Sequence, residues 1–197
     1  MAIFHRVSEK RYTLDGVIKY VASGSKHAGK VTDYDGFDLD PYHAARDMLL
    51  FKKICSKDDM SQYKHFTVSL EDYETPAVLN RMRTDNLKYS KYNKPSPWEV
   101  FGKIASAMRQ LTGCQLVYAV HANTQHIHMH MVINSIDLTG NRLNLDYPLF
   151  VQMINACDRI LKEHSLHGVR TYKGFLFRND EMMDTDDITK EWWEQTS

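Results

Sequence analysis

The chain alternates between segments with a two-residue hydrophobic period and segments with a helical period. The two-residue period predicts strands over 2–7, 64–70, 115–121, 126–136 and 174–177. The helical period predicts helices over 15–22, 41–55, 96–111 and 147–161. Two of the strands adjoin closely enough to form a hairpin. We therefore expect an α+β fold with a central, mainly antiparallel sheet, the hairpin in its middle and helices packed on it.

The helix predicted over 96–111 has the clearest start signal in the chain. Ser96 is a suitable N-cap, Pro97 suits the first helical position, and Glu99 completes a capping box. Pro41 plays the same first-turn role for the helix predicted over 41–55. Because such residues satisfy or remove the N–H groups that a helix start leaves unpaired, local chemistry predicts both starts.

The pattern of strands and helices ends near residue 178, where the composition also changes. Residues 180–194 hold seven acidic residues and one lysine. We expect one domain over 1–178 and an acidic C-terminal tail over 179–197, which is either a solvated end or the start of a truncated region.

The formal net charge is zero, but the charge is unevenly distributed. Residues 1–30 carry six basic and two acidic groups, and residues 61–120 carry eight and five. Residues 31–60 and 121–197 are acidic in balance. A phosphate backbone would be drawn to the N-terminal segment and to the stretch 81–109. On charge alone, solvated protein faces explain these segments equally well.

Neither end of the chain nor its cysteines point to secretion or a membrane. No apolar run approaches the roughly 20 residues of a membrane helix, and the N-terminus lacks a signal-peptide pattern. The three cysteines, Cys55, Cys114 and Cys157, are scattered and fit reduced thiols better than a disulfide framework. We expect a cytoplasmic protein without membrane insertion.

Four histidines lie within residues 121–130, and three of them alternate with apolar residues. On a strand, His126, His128 and His130 would point to one face and the apolar residues to the other. Imidazole is a common transition-metal ligand, so the row predicts a metal site. A histidine cluster without metal and a purely structural metal site are the two alternatives.

Strand geometry limits which histidines can share one ion. Residues two apart on a strand are about 6.6 Å apart. His126 and His130 are four residues apart, so their backbones are about 13 Å apart and they should not easily bind the same ion. If residues 124 and 125 form a two-residue turn, His121 lies opposite His128. Geometry therefore favours His121 and His128 plus either His126 or His130. Three histidines with open coordination positions favour catalysis over a closed structural site.

The same segment resembles a motif of the relaxases, the mobilisation nucleases of conjugative plasmids and integrative elements, and is most similar to their VirD2-like branch. The matching residues are His121-Ala-Asn123, His128-Met-His130, Asn134 with the following Ser135-Ile136-Asp137, and Glu163-His164-Ser165-Leu166. The resemblance implies a metal triad of His121, His128 and His130, with His126 beside the ion or contacting phosphate. Asn123 departs from the family's aspartate and cannot supply its negative charge.

The resemblance also implies a tyrosine nucleophile near the N-terminus. The segment Gly16-Val-Ile-Lys-Tyr20-Val-Ala matches the first relaxase motif, which makes Tyr20 the expected nucleophile. The adjacent Lys19 would assist it if the lysine side chain turned inward. Tyr12 is the nearest competitor. Ser69 matches a serine that contacts DNA next to the cut, although an isolated strand serine is ordinarily structural. Tyrosine is a weak nucleophile at neutral pH and needs such assistance.

These matches imply a relaxase catalytic domain over 1–178 that nicks and rejoins DNA at an origin of transfer through a 5′-phosphotyrosine. The family implies Mg²⁺ or Mn²⁺, whereas three histidines would bind Zn²⁺, Ni²⁺ or Cu²⁺ more tightly in isolated protein. Expected partners are single-stranded or hairpin origin DNA, an accessory relaxosome protein and a coupling protein. Two alternatives are a rolling-circle replication initiator with Tyr147 as nucleophile and a non-catalytic, metal-dependent DNA-binding module.

Overall fold

The structure is a computed structural model of the 197-residue chain. It describes residues 2–7, 13–23, 31–57, 63–70, 99–122, 126–173, 176–178 and 181–183. The strands are β1 (Ala2–Val7), β2 (Val31–Phe37), β3 (Tyr63–Ser69), β4 (Cys114–His121), β5 (His128–Asp137), β6 (Val169–Lys173), β7 (Leu176–Arg178) and β8 (Glu181–Met183). The helices are α1 (Leu14–Ser23), α2 (Ala44–Ile54), α3 (Glu99–Thr112) and α4 (Tyr147–Glu163), with a 3-10 turn over Pro41–His43.

One sheet of six strands forms the centre of the fold, in the order β2-β4-β5-β3-β1-β6. All neighbouring pairs are antiparallel except β1 and β6, which run parallel. The hairpin of β4 and β5 is interior, because β2 covers one side of it and β3 the other. This confirms the predicted α+β fold with a mainly antiparallel sheet and the histidine hairpin inside it.

Helices cover both faces of the sheet. One face packs on α3 and α4 through a large core that includes Met129, Met131 and Phe150. The other face packs on α1 and α2 through a smaller core that includes Val17 and Val132. Because strand side chains alternate between faces, His121, His128 and His130 share the face of the smaller core. Within the described residues, no helix combines the length and the apolar composition that crossing a bilayer needs.

Two predicted elements differ in their starts. Asp40 caps a 3-10 turn by accepting from the Tyr42 backbone N–H at 3.0 Å, so α2 proper begins at Ala44 and not at residue 41. The strand predicted over 126–136 begins at His128. The chain bends before it, because the Ile127 carbonyl accepts from the Leu70 N–H at 2.9 Å at the end of β3. The capping residues Ser96 and Pro97 lie outside the described residues.

The remaining differences lie at the edges of the fold. The sequence pattern did not predict β2, which is a polar edge strand with a single neighbour. Strand β6, which pairs with β1, was not predicted. The strand predicted over 174–177 overlaps β7, which pairs with β8, at residues 176 and 177, and residues 174 and 175 lie outside the described residues. Part of the predicted acidic tail therefore forms a strand, and residues 184–197 lie outside the described part of the chain. The domain boundary at 178 stays a prediction.

Candidate metal centre

The hairpin register brings three histidines together on one face. His121 on β4 lies directly opposite His128 on β5, as the two-residue turn predicted, although residues 124 and 125 themselves lie outside the described residues. His130 is the next residue of β5 on that face. One ring nitrogen from each of the three lies within 4.8 Å of the others. These spacings fit a single ion bound by three imidazoles.

Backbone carbonyls orient two of the three rings. His121 Nε2 lies 2.8 Å from the carbonyl oxygen of Val21 in α1, so that nitrogen carries the donated proton. His128 Nδ1 lies 3.1 Å from the carbonyl oxygen of His126 and donates in the same way. In each ring the opposite nitrogen then holds the lone pair that a metal ion needs, as is usual for metal-binding histidines.

The third ring is held by another histidine. His130 Nδ1 lies 2.9 Å from Nε2 of His65 on β3, and the ring centroids are 5.1 Å apart. His130 Nε2 is buried without a hydrogen-bond partner among the described residues. An orphaned polar atom of this kind is costly unless something binds it. A metal ion at the centre of the three histidines fits this orphaned nitrogen.

Burial keeps the histidines uncharged near neutral pH. Desolvation, together with the neighbouring His65, His128 and His121, lowers the pKa of His130 to about 2. Desolvation also lowers the pKa of His128, and lowers the pKa of His65 to about 4. Neutral imidazole is the form that binds a metal ion, so the lowered pKa values of His128 and His130 favour binding.

Tyr20 lies beside the histidine cluster, although it precedes His121 by 101 positions in the sequence. Its ring meets that of His130 edge-on, with centroids 5.6 Å apart and planes at 83°. The side chain is 38% exposed, so one side of it faces solvent. Helix α1 positions it by burying Val17 and Val21 against the sheet. The structure therefore brings together the two features that the resemblance related, the tyrosine and the histidine triad.

The other predicted site residues differ in their positions relative to this cluster. Ser69 is directly opposite His128 in the β3–β5 register and is half-buried on the same face. Lys19 forms an exposed ion pair with Asp15 along α1, with a distance of 2.6 Å between Nζ and Oδ2. His126 precedes β5 and directs Nδ1 to the Leu70 carbonyl oxygen at 3.1 Å. Asn123 and Tyr12 lie outside the described residues.

Asn134 is fully buried beneath α2. Its Nδ2 donates to Gln115 Oε1 at 2.9 Å and to the Met48 carbonyl oxygen at 3.4 Å, and its Oδ1 accepts from the Ser135 N–H at 2.8 Å. These bonds link β5, β4 and α2. Asn134 therefore supports the histidine-bearing strand from within the core.

Two further residues matter for the site: one that was not predicted, and the nucleophile of an alternative hypothesis. His65 was not predicted as part of the site, although it alternates with Thr67 and Ser69 on one face of a predicted strand. Only the three-strand register shows that this face meets His130. Tyr147, the nucleophile of the alternative hypothesis, begins α4, which packs on the opposite face of the sheet.

A protein-family model matches most of the chain. The family model described as "Relaxase: MobA/VirD2-like, nuclease domain" matches residues 20–166, which is more than half of the chain. The matched range begins at Tyr20 and contains all three clustered histidines. No curated protein matches the chain.

Proposed function

This chain belongs to the relaxase family, through a MobA/VirD2-like nuclease domain, and on that premise we propose that Tyr20 nicks and rejoins DNA at an origin of transfer. The family supports a nicking endonuclease that acts in mobilisation. The proposal adds the nucleophile, the covalent intermediate and the dependence on a divalent ion.

One observation carries the proposal: the ring of Tyr20 lies 5.6 Å from that of His130, within a cluster of three converging histidines. A nucleophile and a cation site must both reach the scissile phosphate, so they have to be neighbours. The contact between α1 and the hairpin supports this arrangement a second time, because the Val21 carbonyl orients His121.

His121, His128 and His130 would hold the ion. When bound, such an ion supplies Lewis-acid polarisation of the scissile phosphate. The resemblance implies Mg²⁺ or Mn²⁺ as the physiological ion, whereas three nitrogen ligands give higher affinity for Zn²⁺ or Ni²⁺ in isolated protein.

The covalent step is a transesterification. The Tyr20 phenol gives up its proton and its oxygen forms a bond to phosphorus, while the bond from phosphorus to the 3′ oxygen breaks. The leaving 3′ oxygen takes up a proton, so the products are a 5′-phosphotyrosine and a free 3′-hydroxyl. Because one phosphodiester replaces another, attack by a 3′-hydroxyl on the phosphotyrosine reverses the step and rejoins the strand.

The substrate in this proposal is single-stranded or hairpin origin DNA, which Lys and Arg side chains would hold through phosphates and aromatic side chains through base stacking. Ser69, which lies opposite His128 in the sheet, would contact the strand beside the cut. An accessory relaxosome protein and a coupling protein are the proposed protein partners. Transfer of cellular DNA would begin in the cytoplasm.

Exchange of single tyrosines separates this proposal from its alternatives. Wild-type protein, Tyr20→Phe and Tyr147→Phe would be incubated with Mn²⁺ and 3′-end-labelled single-stranded oligonucleotides of randomised sequence. We expect a labelled covalent adduct on denaturing gels for the wild type and Tyr147→Phe, and none for Tyr20→Phe. Peptide mapping of the wild-type adduct should locate the label on Tyr20.

The other outcomes identify the alternatives. An adduct with Tyr20→Phe that disappears in Tyr147→Phe would support a rolling-circle initiator. Retained DNA binding without any adduct, even with wild-type protein, would support a non-catalytic module. The position of α4 on the face opposite the histidines argues against Tyr147.

A further inference from the structure

His65 is a buried histidine that the proposed nicking reaction does not use directly. It is 3% exposed, lies on β3 and reaches diagonally across the sheet face to His130. The 2.9 Å separation between His65 Nε2 and His130 Nδ1 is a hydrogen bond between two imidazoles. Buried pairs of this kind constrain both rings, because each ring has only two polar atoms.

Two neutral imidazoles can share this bond in two ways. If His65 Nε2 carries the proton, His130 accepts it at Nδ1 and must carry its own proton on Nε2. That nitrogen would then be a buried donor without a partner, and it could not bind a metal ion. If His130 Nδ1 carries the proton, Nε2 keeps its lone pair and the orphaned atom becomes a ligand atom.

We propose that His65 is a positioning residue that accepts from His130 Nδ1 and thereby fixes the ring and tautomer in which Nε2 faces the ion. The inference rests on the proposed metal centre. It adds His65 to the site and assigns protons to two rings. Both His65 and His130 then carry their single proton on Nδ1.

Three groups that hydrogen-bond to the histidine rings are uncharged. The hydrogen-bond partners of the three rings described above are two backbone carbonyls and the neutral His65. None of these partners offsets the charge of a bound cation, unlike the carboxylates that often hold metal-binding histidines.

Nitrogen-15 NMR of the imidazoles tests the assignment in wild-type protein. Long-range proton–nitrogen spectra distinguish the two tautomers of each histidine. We expect protonated Nδ1 on His65 and His130 in the metal-free protein, with the same tautomers retained in the Zn²⁺-loaded protein. A proton on His130 Nε2 in the metal-free protein would overturn the proposal. This measurement needs no variant and no activity.

Mn²⁺ titration by calorimetry tests the consequence for binding. His65→Leu removes the acceptor and keeps an apolar side chain in the core, so the Mn²⁺ dissociation constant should rise about 10- to 100-fold. His65→Gln keeps an acceptor oxygen and should restore most of the affinity. Thr67→Val is the matched control, since Thr67 lies on β3 with His65 and directly opposite His130 on β5. The Mn²⁺ affinity of this variant should equal that of the wild type.

The variant His121→Ala separates this inference from the metal centre itself. It should abolish Mn²⁺ binding; unchanged binding, or no binding by the wild type, would overturn the metal centre and the role of His65 with it. If His121→Ala loses binding but folded His65→Leu binds like the wild type, only the positioning role is overturned. Thermal unfolding establishes whether each variant is folded. If His65→Leu does not fold, the NMR measurement on the wild-type protein tests the positioning role of His65.

Discussion

At the scale of single residues, the histidine-bearing face of the sheet depends on an uncharged amide in its core. Asn134 is fully buried and donates to Gln115, which is itself buried. Asn134→Ala leaves the Gln115 side-chain oxygen without this donor, so we expect the free energy of unfolding to fall by about 1–3 kcal/mol. Urea denaturation followed by circular dichroism measures the change.

The control for Asn134 is an exposed asparagine. Asn144 makes only a 3.5 Å contact with Asp146 on the surface, so Asn144→Ala should change stability by less than about 0.5 kcal/mol. Equal effects of the two substitutions would contradict the structural role of Asn134.

The cysteines differ in their environments at the same scale. Burial raises the pKa of the Cys114 thiol to about 12 and raises that of Cys157 as well. Cys55 is only partly buried. Since the thiolate is the reactive form, native protein at pH 8 should react with a thiol reagent at Cys55 alone, and all three should react in denaturant. Mass spectrometry of modified peptides identifies the residues, and rapid labelling of native Cys114 would contradict the packing.

At the scale of elements, helix α1 connects Tyr20, the proposed nucleophile, to the histidine cluster. It carries Tyr20, and its Val21 carbonyl accepts from His121. Its attachment to the sheet depends on a buried stripe that includes Leu14 and Val17. Any change that loosens α1 should therefore disturb Tyr20 and one proposed metal ligand, His121, together.

Leu14→Ala tests this dependence without touching the site. Leu14 is completely buried, so its truncation should lower the free energy of unfolding by about 2–5 kcal/mol. Hydrogen exchange should increase across 14–23 more than across β5, and the yield of DNA adduct should fall. Leu50→Ala on the exposed side of α2 is the control, with Leu50 53% exposed. An adduct yield that falls equally in both variants would contradict the role of α1.

The strands also show which parts of the fold a local sequence pattern can predict. The hairpin was predictable because two strands with a short connection fix their own register, and His121 does lie opposite His128. Strand β2 was not predictable, because Asp33, Asp35 and Gly36 interrupt any alternation of apolar residues. It is an edge strand that pairs with β4. Strand β6 pairs in parallel with β1 from the other end of the chain, and no local pattern encodes such a contact.

Some residues of the site were likewise predictable from the sequence, and others were not. Spacing alone indicated a histidine metal site but left His126 and His130 as alternatives, and only His130 belongs to the group of three. The resemblance named Tyr20, whereas its distance from His130 depends on how α1 packs. His65 required the register of three strands, so composition and spacing gave no signal for its bond to His130.

At the scale of the whole molecule, the two faces of the sheet differ in what they carry. The large core under α3 and α4 fills one face, and the other face combines a smaller core with the histidine cluster. The cluster contains a buried nitrogen, His130 Nε2, without a partner in the described part of the chain. The metal-free fold therefore retains an unsatisfied polar group that ion binding would satisfy.

The last prediction follows from this coupling between binding and folding. An ion that binds the folded chain alone stabilises it by about 2.7 kcal/mol at a concentration 100 times the dissociation constant. For a domain of this size the melting temperature should rise by roughly 5–10 °C. Differential scanning calorimetry of chelator-treated protein, with and without Mn²⁺ or Zn²⁺, measures the shift, which should be larger for Zn²⁺ at equal concentration. His121→Ala should show neither shift, and an undiminished shift in that variant would mean that the ion binds elsewhere.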